Sequence, residues 1–267
     1  MASALRALRL GGRHRWHNAT VAAASAALTS QVARSPASTP LSTSSTRKTG
    51  ASSRSATDGL LACNFGVFAL QLLTRNRVTS ALMKVNALMR PQPWRFATAA
   101  LVHGSLMHLL VNSVSLSDIG HTFESLCGRD RTLAVYGCSA VCGNAISVFL
   151  NSNNALGASG AIMGLAGAFA TTLGVNRRFL SPQAMEMRNT ILRVVAINLA
   201  IGGVARGIVD NWGHIGGLLG GIASAYCFGP RLKRRGLQIV DEPPIPTFAS
   251  TGSLARLTLR RLPPELR

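Results

Sequence analysis

The sequence predicts an all-α, polytopic membrane protein arranged as a bundle of six transmembrane helices. The 267-residue chain carries a formal net charge of +19 yet has a positive mean hydropathy of +0.25, a combination that water-soluble domains of this length seldom show. Its Lys and Arg are unevenly spread: most precede Asp58, sit in short connections or follow Gly229. Between those basic flanks lie six apolar stretches, to be measured against the roughly 17 to 25 residues that take a helix across about 30 Å of hydrocarbon. A nucleic-acid binder would also be basic, but it needs its charge gathered on a folded face among base-stacking aromatics. Aromatics are only 5% of this chain, so no nucleic acid is expected as a partner.

Residues 1–57 contain Arg6, Arg9, Arg13, Arg15, Arg34, Arg47, Lys48 and Arg54, abundant Ser, Thr and Ala, and no acidic residue. This is the composition of an organellar transit peptide followed by a low-complexity linker from Pro36 to Ala56, a disordered basic tail being the plain alternative. The membrane domain is expected over residues 58–229. Its first span, Leu60 to Leu73, is short and must borrow flanking residues. The connection from Arg75 to Val102 carries Trp94 with Leu82, Val85, Leu88 and Met89, an amphipathic content that suits the membrane interface. The remaining spans run from near Ser105 to Phe123, Leu133 to Leu150, Ser159 to Val175, Ile191 to Val204 and Trp212 to Phe228. Residues 230–267 open with Arg231, Lys233, Arg234 and Arg235 and continue Pro-rich and polar, which predicts a basic disordered tail. The turn with Arg129 and Arg131, the loop with Arg177, Arg178 and Arg188 and the C-terminal cluster put both termini on one side of the membrane and the loop from Asn151 to Ala158, which has no Lys or Arg, on the other, while the first connection, with Arg75, Arg77, Lys84, Arg90 and Arg95, breaks the pattern.

A strongly polar residue inside a span is costly unless it is paired or lines a wet cavity, so each is a functional candidate. Three sites qualify: His108 with Asn112 in the second span, Ser159 at the start of the fourth and His214 at the start of the sixth. Alternating span direction brings all three to one depth, whereas Asp118 lies further along, toward the basic side. Ser159 stands within Gly157-Ala158-Ser159-Gly160 at a helix N-terminus, where unpaired backbone N–H groups favour developing negative charge. Alone, that tetrapeptide fits helix packing better than catalysis. Two ridges of small residues change the weighting. Gly160, Gly164 and Ala168 recur every four residues on the fourth span, as do Gly213, Gly217 and Gly221 on the sixth, and such ridges let helices touch backbone to backbone. If the ridges face each other, Ser159 and His214 come within hydrogen-bonding reach, and His is the natural base for a Ser hydroxyl. His108 and Asn112, four apart and on one helix face, are then candidate oxyanion donors, each worth on the order of 3 kcal/mol; an interhelical clamp is the alternative. His103 is read as shaping the loop before this span, and Arg95 with Glu124 as a pair bracing it, a solvated Glu124 being the other possibility. The five cysteines form no C-x-x-C pair, and Cys138 and Cys142 have no His beside them, so neither a metal nor a disulfide framework is expected.

Trp94-Arg95, His103-x4-His108-x3-Asn112, Gly120-x3-Glu124-x3-Gly128, Gly157-Ala158-Ser159-Gly160 and His214-x2-Gly217-x3-Gly221 occur in that order. In these residues the chain resembles the rhomboid family, over roughly Leu60 to Gly229. The resemblance implies a six-helix serine-type endopeptidase without cofactor, acting in the lipid bilayer on transmembrane protein substrates. It implies Ser159 as nucleophile, His214 as base, and His108, Asn112 and the Ser159 N–H as oxyanion donors. It implies structural roles for Trp94, His103, Gly157, Gly160, Gly164, Gly213, Gly217 and Gly221, and for Arg95 and Glu124 as a pair. No acidic third member is implied: Asp210 is read as a loop residue and the orientation of His214 as a matter of packing. The likeness is greatest to plant plastid members, which favours the plastid inner envelope over the mitochondrial inner membrane. A catalytically silent relative that binds transmembrane clients is the alternative, disfavoured because both Ser159 and His214 are present.

Overall fold

The computed structural model describes residues 55–205, 209–236 and 238–246. Six long helices form the bundle: α1 (Ala56–Leu73), α4 (Leu106–Cys127), α5 (Arg129–Leu150), α6 (Ser159–Val175), α7 (Pro182–Val204) and α8 (Asn211–Phe228). Two short helices, α2 (Arg77–Leu82) and α3 (Arg95–Thr98), punctuate the long connection between α1 and α4. The expected transit segment, residues 1–54 of it, lies outside the described residues.

Side-chain caps set several helix starts. Ser55 accepts from Asp58 N at α1, Ser105 from His108 N at α4, and Asp210 from Gly213 N at α8, each satisfying an N–H that the helix cannot. Pro182 opens α7, where its missing N–H costs nothing. A single residue, Gly128, joins α4 to α5 at φ 92°, a conformation that favours glycine.

By length and composition α1, α5 and α7 are each able to cross a membrane, and α4 passes the same measure only when counted together with the segment before it, from which it is bent by 98°. The other two helices occupy the middle of the molecule. α6 is apolar but only 17 residues, about 25 Å, and most of its side chains are buried by protein rather than by lipid. α8 packs closely on both α5 and α6, and α7 meets chiefly α6. The main core gathers Leu116, Phe123, Leu165, Phe169, Leu173 and Ile191 around α6.

The connections with Arg129, Arg131, Arg177 and Arg178 lie at one end with the hairpin, and the basic connection from Arg75 to Arg95 lies at the other. At the hairpin's end the N-terminus of α1 meets the C-terminus of α4: Glu124 accepts from Ala56 N at 2.7 Å, Thr57 N at 2.9 Å, Thr57 Oγ1 at 2.7 Å and Ser55 Oγ at 2.8 Å. Gly120 permits this approach, since a Cβ there would lie 2.8 Å from Thr57 Cγ2.

Two expectations are corrected here. Arg95 and Glu124 do not pair: Arg95, 3% exposed, donates instead to Gln92 Oε1 at 2.7 Å, Met83 O at 2.6 Å and Ser80 O at 3.0 Å. Arg95 holds together the connection before α4, whereas Glu124 sits in the last turns of α4 against the start of α1. Nor is the chain beyond Gly229 wholly without structure. Strands β1 (Leu232–Arg235) and β2 (Gln238–Asp241) pair as an antiparallel hairpin, turned at Gly236 with φ 60°. Leu232 and Ile239 pack on Leu126, Phe179 and Leu180, and Asn176 binds Pro230 O and Leu232 N, which gives this short piece the apolar anchor that its composition hides.

Candidate active site

The glycine ridges of α6 and α8 face each other. A Cβ added to Gly164 would lie 2.6 Å from Gly217 O, one on Gly160 would lie 3.0 Å from Gly213 O, and those on Gly217 and Gly221 would run into the backbones of Gly160 and Gly164. On its other flank α8 is equally tight, for a Cβ on Gly143 of α5 would come within 2.7 Å of Gly213 O. Only residues without side chains allow this approach, and it is the approach that delivers the site.

Ser159 is the first residue of α6 and His214 lies in the first turn of α8. With the imidazole proton on Nδ1, Ser159 Oγ donates to His214 Nε2 at 2.7 Å. Both side chains are half-buried and border a cavity of about 30 Å³, room for roughly two water molecules at the 10–15 Å³ each needs. Gly157, Asn144 and Asp210 border it too. Gly157 holds φ 121°, and α6 begins without a side-chain cap, which leaves its first N–H groups to serve whatever sits before Ser159.

His108 covers the turn before Ser159: a Cβ on Gly157 would lie 2.7 Å from His108 Cε1 and 2.8 Å from its Nε2. Asn112 is buried one turn further along α4 and donates from Nδ2 to His108 O at 2.9 Å. His108 thus stands beside the loop that leads into Ser159, whereas Asn112 is engaged with its own helix and neither residue borders the cavity. His103 is buried behind His108, their rings edge to face with centroids 5.3 Å apart, and its backbone is clasped by Gln71 at 3.0 and 2.9 Å. Trp94 is half exposed beside the buried Arg95.

Several residues at the site escaped the sequence reading. Asp210 is no idle loop residue but the N-cap of the helix that carries His214, with Oδ1 accepting from Gly213 N at 3.1 Å and Asn151 Nδ2 at 2.8 Å. Asn144, Ser147 and Asn151 form a polar stripe at helical spacing on the third span, a signal the sequence contained. Asn144 Nδ2 donates to Phe96 O at 2.8 Å and so ties the connection before α4 to the cavity wall. Lys84 had no such signal.

A family model described as the rhomboid domain matches residues 90–231, more than half of the chain. The chain is 33% identical over 136 residues to a protein of Bacillus subtilis named rhomboid protease GluP, covering 51% of this chain and 26% of that one. It is 36% identical over 175 residues to RHOMBOID-like protein 2 of Arabidopsis thaliana, covering 61% and 53%. It is 35% identical over 139 residues to RHOMBOID-like protein 6, mitochondrial, of the same plant, covering 52% and 43%. The chain therefore spans from about a quarter to about half of the length of these relatives. Its six-helix fold, its apolar spans and the matched domain together make it an integral membrane protein of the rhomboid family.

Proposed function

We propose that this chain is an intramembrane serine protease that hydrolyses a peptide bond in or near a transmembrane segment of a membrane-protein substrate, using Ser159 and His214 as a dyad. One observation carries the reading: a hydroxyl and an imidazole from separate helices share a hydrogen bond at a small polar cavity inside an apolar bundle. Such a pair within a span is costly to place unless it works.

In this mechanism His214 Nε2 takes the Ser159 proton as Oγ bonds to the scissile carbonyl carbon. The negative charge gathers on the carbonyl oxygen, facing the Ser159 N–H at the start of α6, with His108 and the second amide proton of Asn112 as further donors. The imidazolium returns its proton to the leaving amine as the C–N bond breaks, leaving an ester on Ser159. Water, deprotonated by His214, then cleaves that ester and restores the hydroxyl. The cavity supplies the one reactant that the lipid cannot.

The site lies at the end away from the turn with Arg129 and Arg131, the connection with Arg177, Arg178 and Arg188 and the cluster at Arg231 to Arg235, so the substrate meets it on the side opposite the termini; the basic connection from Arg75 to Arg95 shares the site's own end. The transit-like composition of residues 1–57 supports an organellar membrane, with the plastid inner envelope preferred and the mitochondrial inner membrane second. Import of the radiolabelled full chain into isolated plastids and mitochondria separates the two.

The enzyme reading is tested with a fluorophosphonate probe and a transmembrane reporter. Wild-type protein is expected to be labelled at Ser159 and to cleave the reporter, and Ser159→Ala to do neither while folding normally. Cleavage by purified Ser159→Ala, or client binding by an unlabelled wild type, would replace the protease with a silent binding protein.

A further inference from the structure

Lys84 lies in the connection between α1 and α4, far in sequence from either member of the dyad, and is fully buried at 0% exposure. Burying an ammonium costs several kcal/mol unless oxygens and a counter-charge surround it. Its Nζ meets Ser147 Oγ at 2.8 Å, Asn153 O at 2.9 Å, and the carbonyls of Ser147 and Asn151 at 3.2 Å each. The C-terminal end of α5 and the residues just after it thus turn carbonyl oxygens toward a cation, the favourable sense of the helix dipole. The counter-charge is Asp210, which accepts from Ser147 Oγ through Oδ2. Burial pushes the Lys84 ammonium down from its usual pKa, and Asp210 opposes that shift.

The partners of Lys84 lead in two directions. Its backbone pairs both ways with Ala155, N to O at 2.9 Å and O to N at 3.2 Å, four residues before Ser159. Its side chain reaches Asp210, four residues before His214, through Ser147. Asp210 in turn caps α8 through Gly213 N. The loop that delivers the nucleophile and the cap that delivers the base therefore end on one residue. A lysine serving stability alone has no need to touch both.

We propose that Lys84 is a positioning residue of the dyad: its ammonium, acting through Ser147 and Asp210, holds the start of α8 against the loop that leads into α6 and so sets the reach between Ser159 Oγ and His214 Nε2. This rests on the protease reading above and adds the element that orients the base, which the sequence assigned to packing.

The test uses the full-length protein in detergent micelles and the concentration dependence of labelling by a fluorophosphonate probe, which separates the maximal rate from the probe's apparent affinity. Lys84→Met and Asp210→Asn are each expected to lower the maximal rate about 10- to 100-fold, the scale of an ångström of misplacement, with affinity nearly unchanged. The double variant, in which both charges leave together, is expected to recover at least about tenfold over either single one. Asn151→Ala removes the amide donor to the Asp210 carboxylate and the acceptor of Asn153 N while leaving both charges in place, and is expected to slow labelling about threefold or more. A wild-type maximal rate in the folded fraction of these variants, whatever their melting point, overturns the role of Lys84 and leaves the dyad standing. Failure of the wild type to be labelled overturns both.

Discussion

Arg131 and Asp241, 110 residues apart in sequence, meet as an ion pair at 2.9 Å with both side chains only 2% exposed. The first turn of α5 is thereby fastened to the second strand of the C-terminal hairpin, and Asp241 also accepts from Arg231 N at 2.8 Å. Removing one member of a buried pair strands the other, at a cost of about 3–5 kcal/mol. Asp241→Asn and Arg131→Met should each lower the thermal midpoint in detergent, and the Arg131→Met, Asp241→Leu double variant should lie closer to wild type than either. An unchanged midpoint in both single variants would show that the hairpin is not part of the folded unit.

Gly217 faces the Gly160 backbone with no room for a methyl group, whereas Gly66 and Gly137 have nothing within 4 Å of where their Cβ would be. Gly217→Ala is therefore expected to push α8 off α6, costing about 1–3 kcal/mol and most of the Ser159 labelling although both dyad residues remain. Gly137→Ala, on an exposed helix surface, should leave labelling intact. Equal labelling of the two variants would mean that the ridge contact does not set the dyad's distance.

Because Arg95 holds the connection before α4 and Glu124 joins the end of α4 to the start of α1, with no partner in common, their losses should be independent. Glu124→Ala removes four acceptor contacts from the start of α1, and Arg95→Ala frees the carbonyls of Ser80 and Met83. Each should lower the thermal stability by about 1.5–3 kcal/mol, the range for hydrogen bonds to charged groups, and the double variant should equal the two added within about 0.5 kcal/mol. A coupling well beyond that margin would restore the direct pair that the motif pattern suggests.

On the hairpin, Glu242 accepts from Arg235 at 2.9 and 3.0 Å and pairs with Lys233 at 3.3 Å, and the Arg235 hydrogen bond foremost holds its carboxyl below the ordinary value of 4.5. A lowered folded value means stability that is present above pH 4.5 and lost as the pH falls through the folded value. The difference in melting midpoint between wild type and Glu242→Gln should thus be visible at neutral pH and close in more acid solution. A difference that persists unchanged at low pH would assign it to something other than this charge.

How much could be read in advance depended on the range of the interaction. The spans, the basic end, the helix starts at Ser159 and His214 and the two glycine ridges are local or periodic features, written in composition and in spacings of three and four. Alternating span direction then leaves little freedom for where Ser159 and His214 can lie in depth, and they do share a hydrogen bond. The contacts that support them are of another kind. Lys84 with Ser147, Arg131 with Asp241 and Glu124 with Thr57 join residues 63, 110 and 67 positions apart. Nothing in the local sequence names these partners, because a charged residue in a loop or near a helix end looks the same whether it faces water or a ring of buried oxygens. Burial creates that distinction, and burial exists only once the helices have closed around one another.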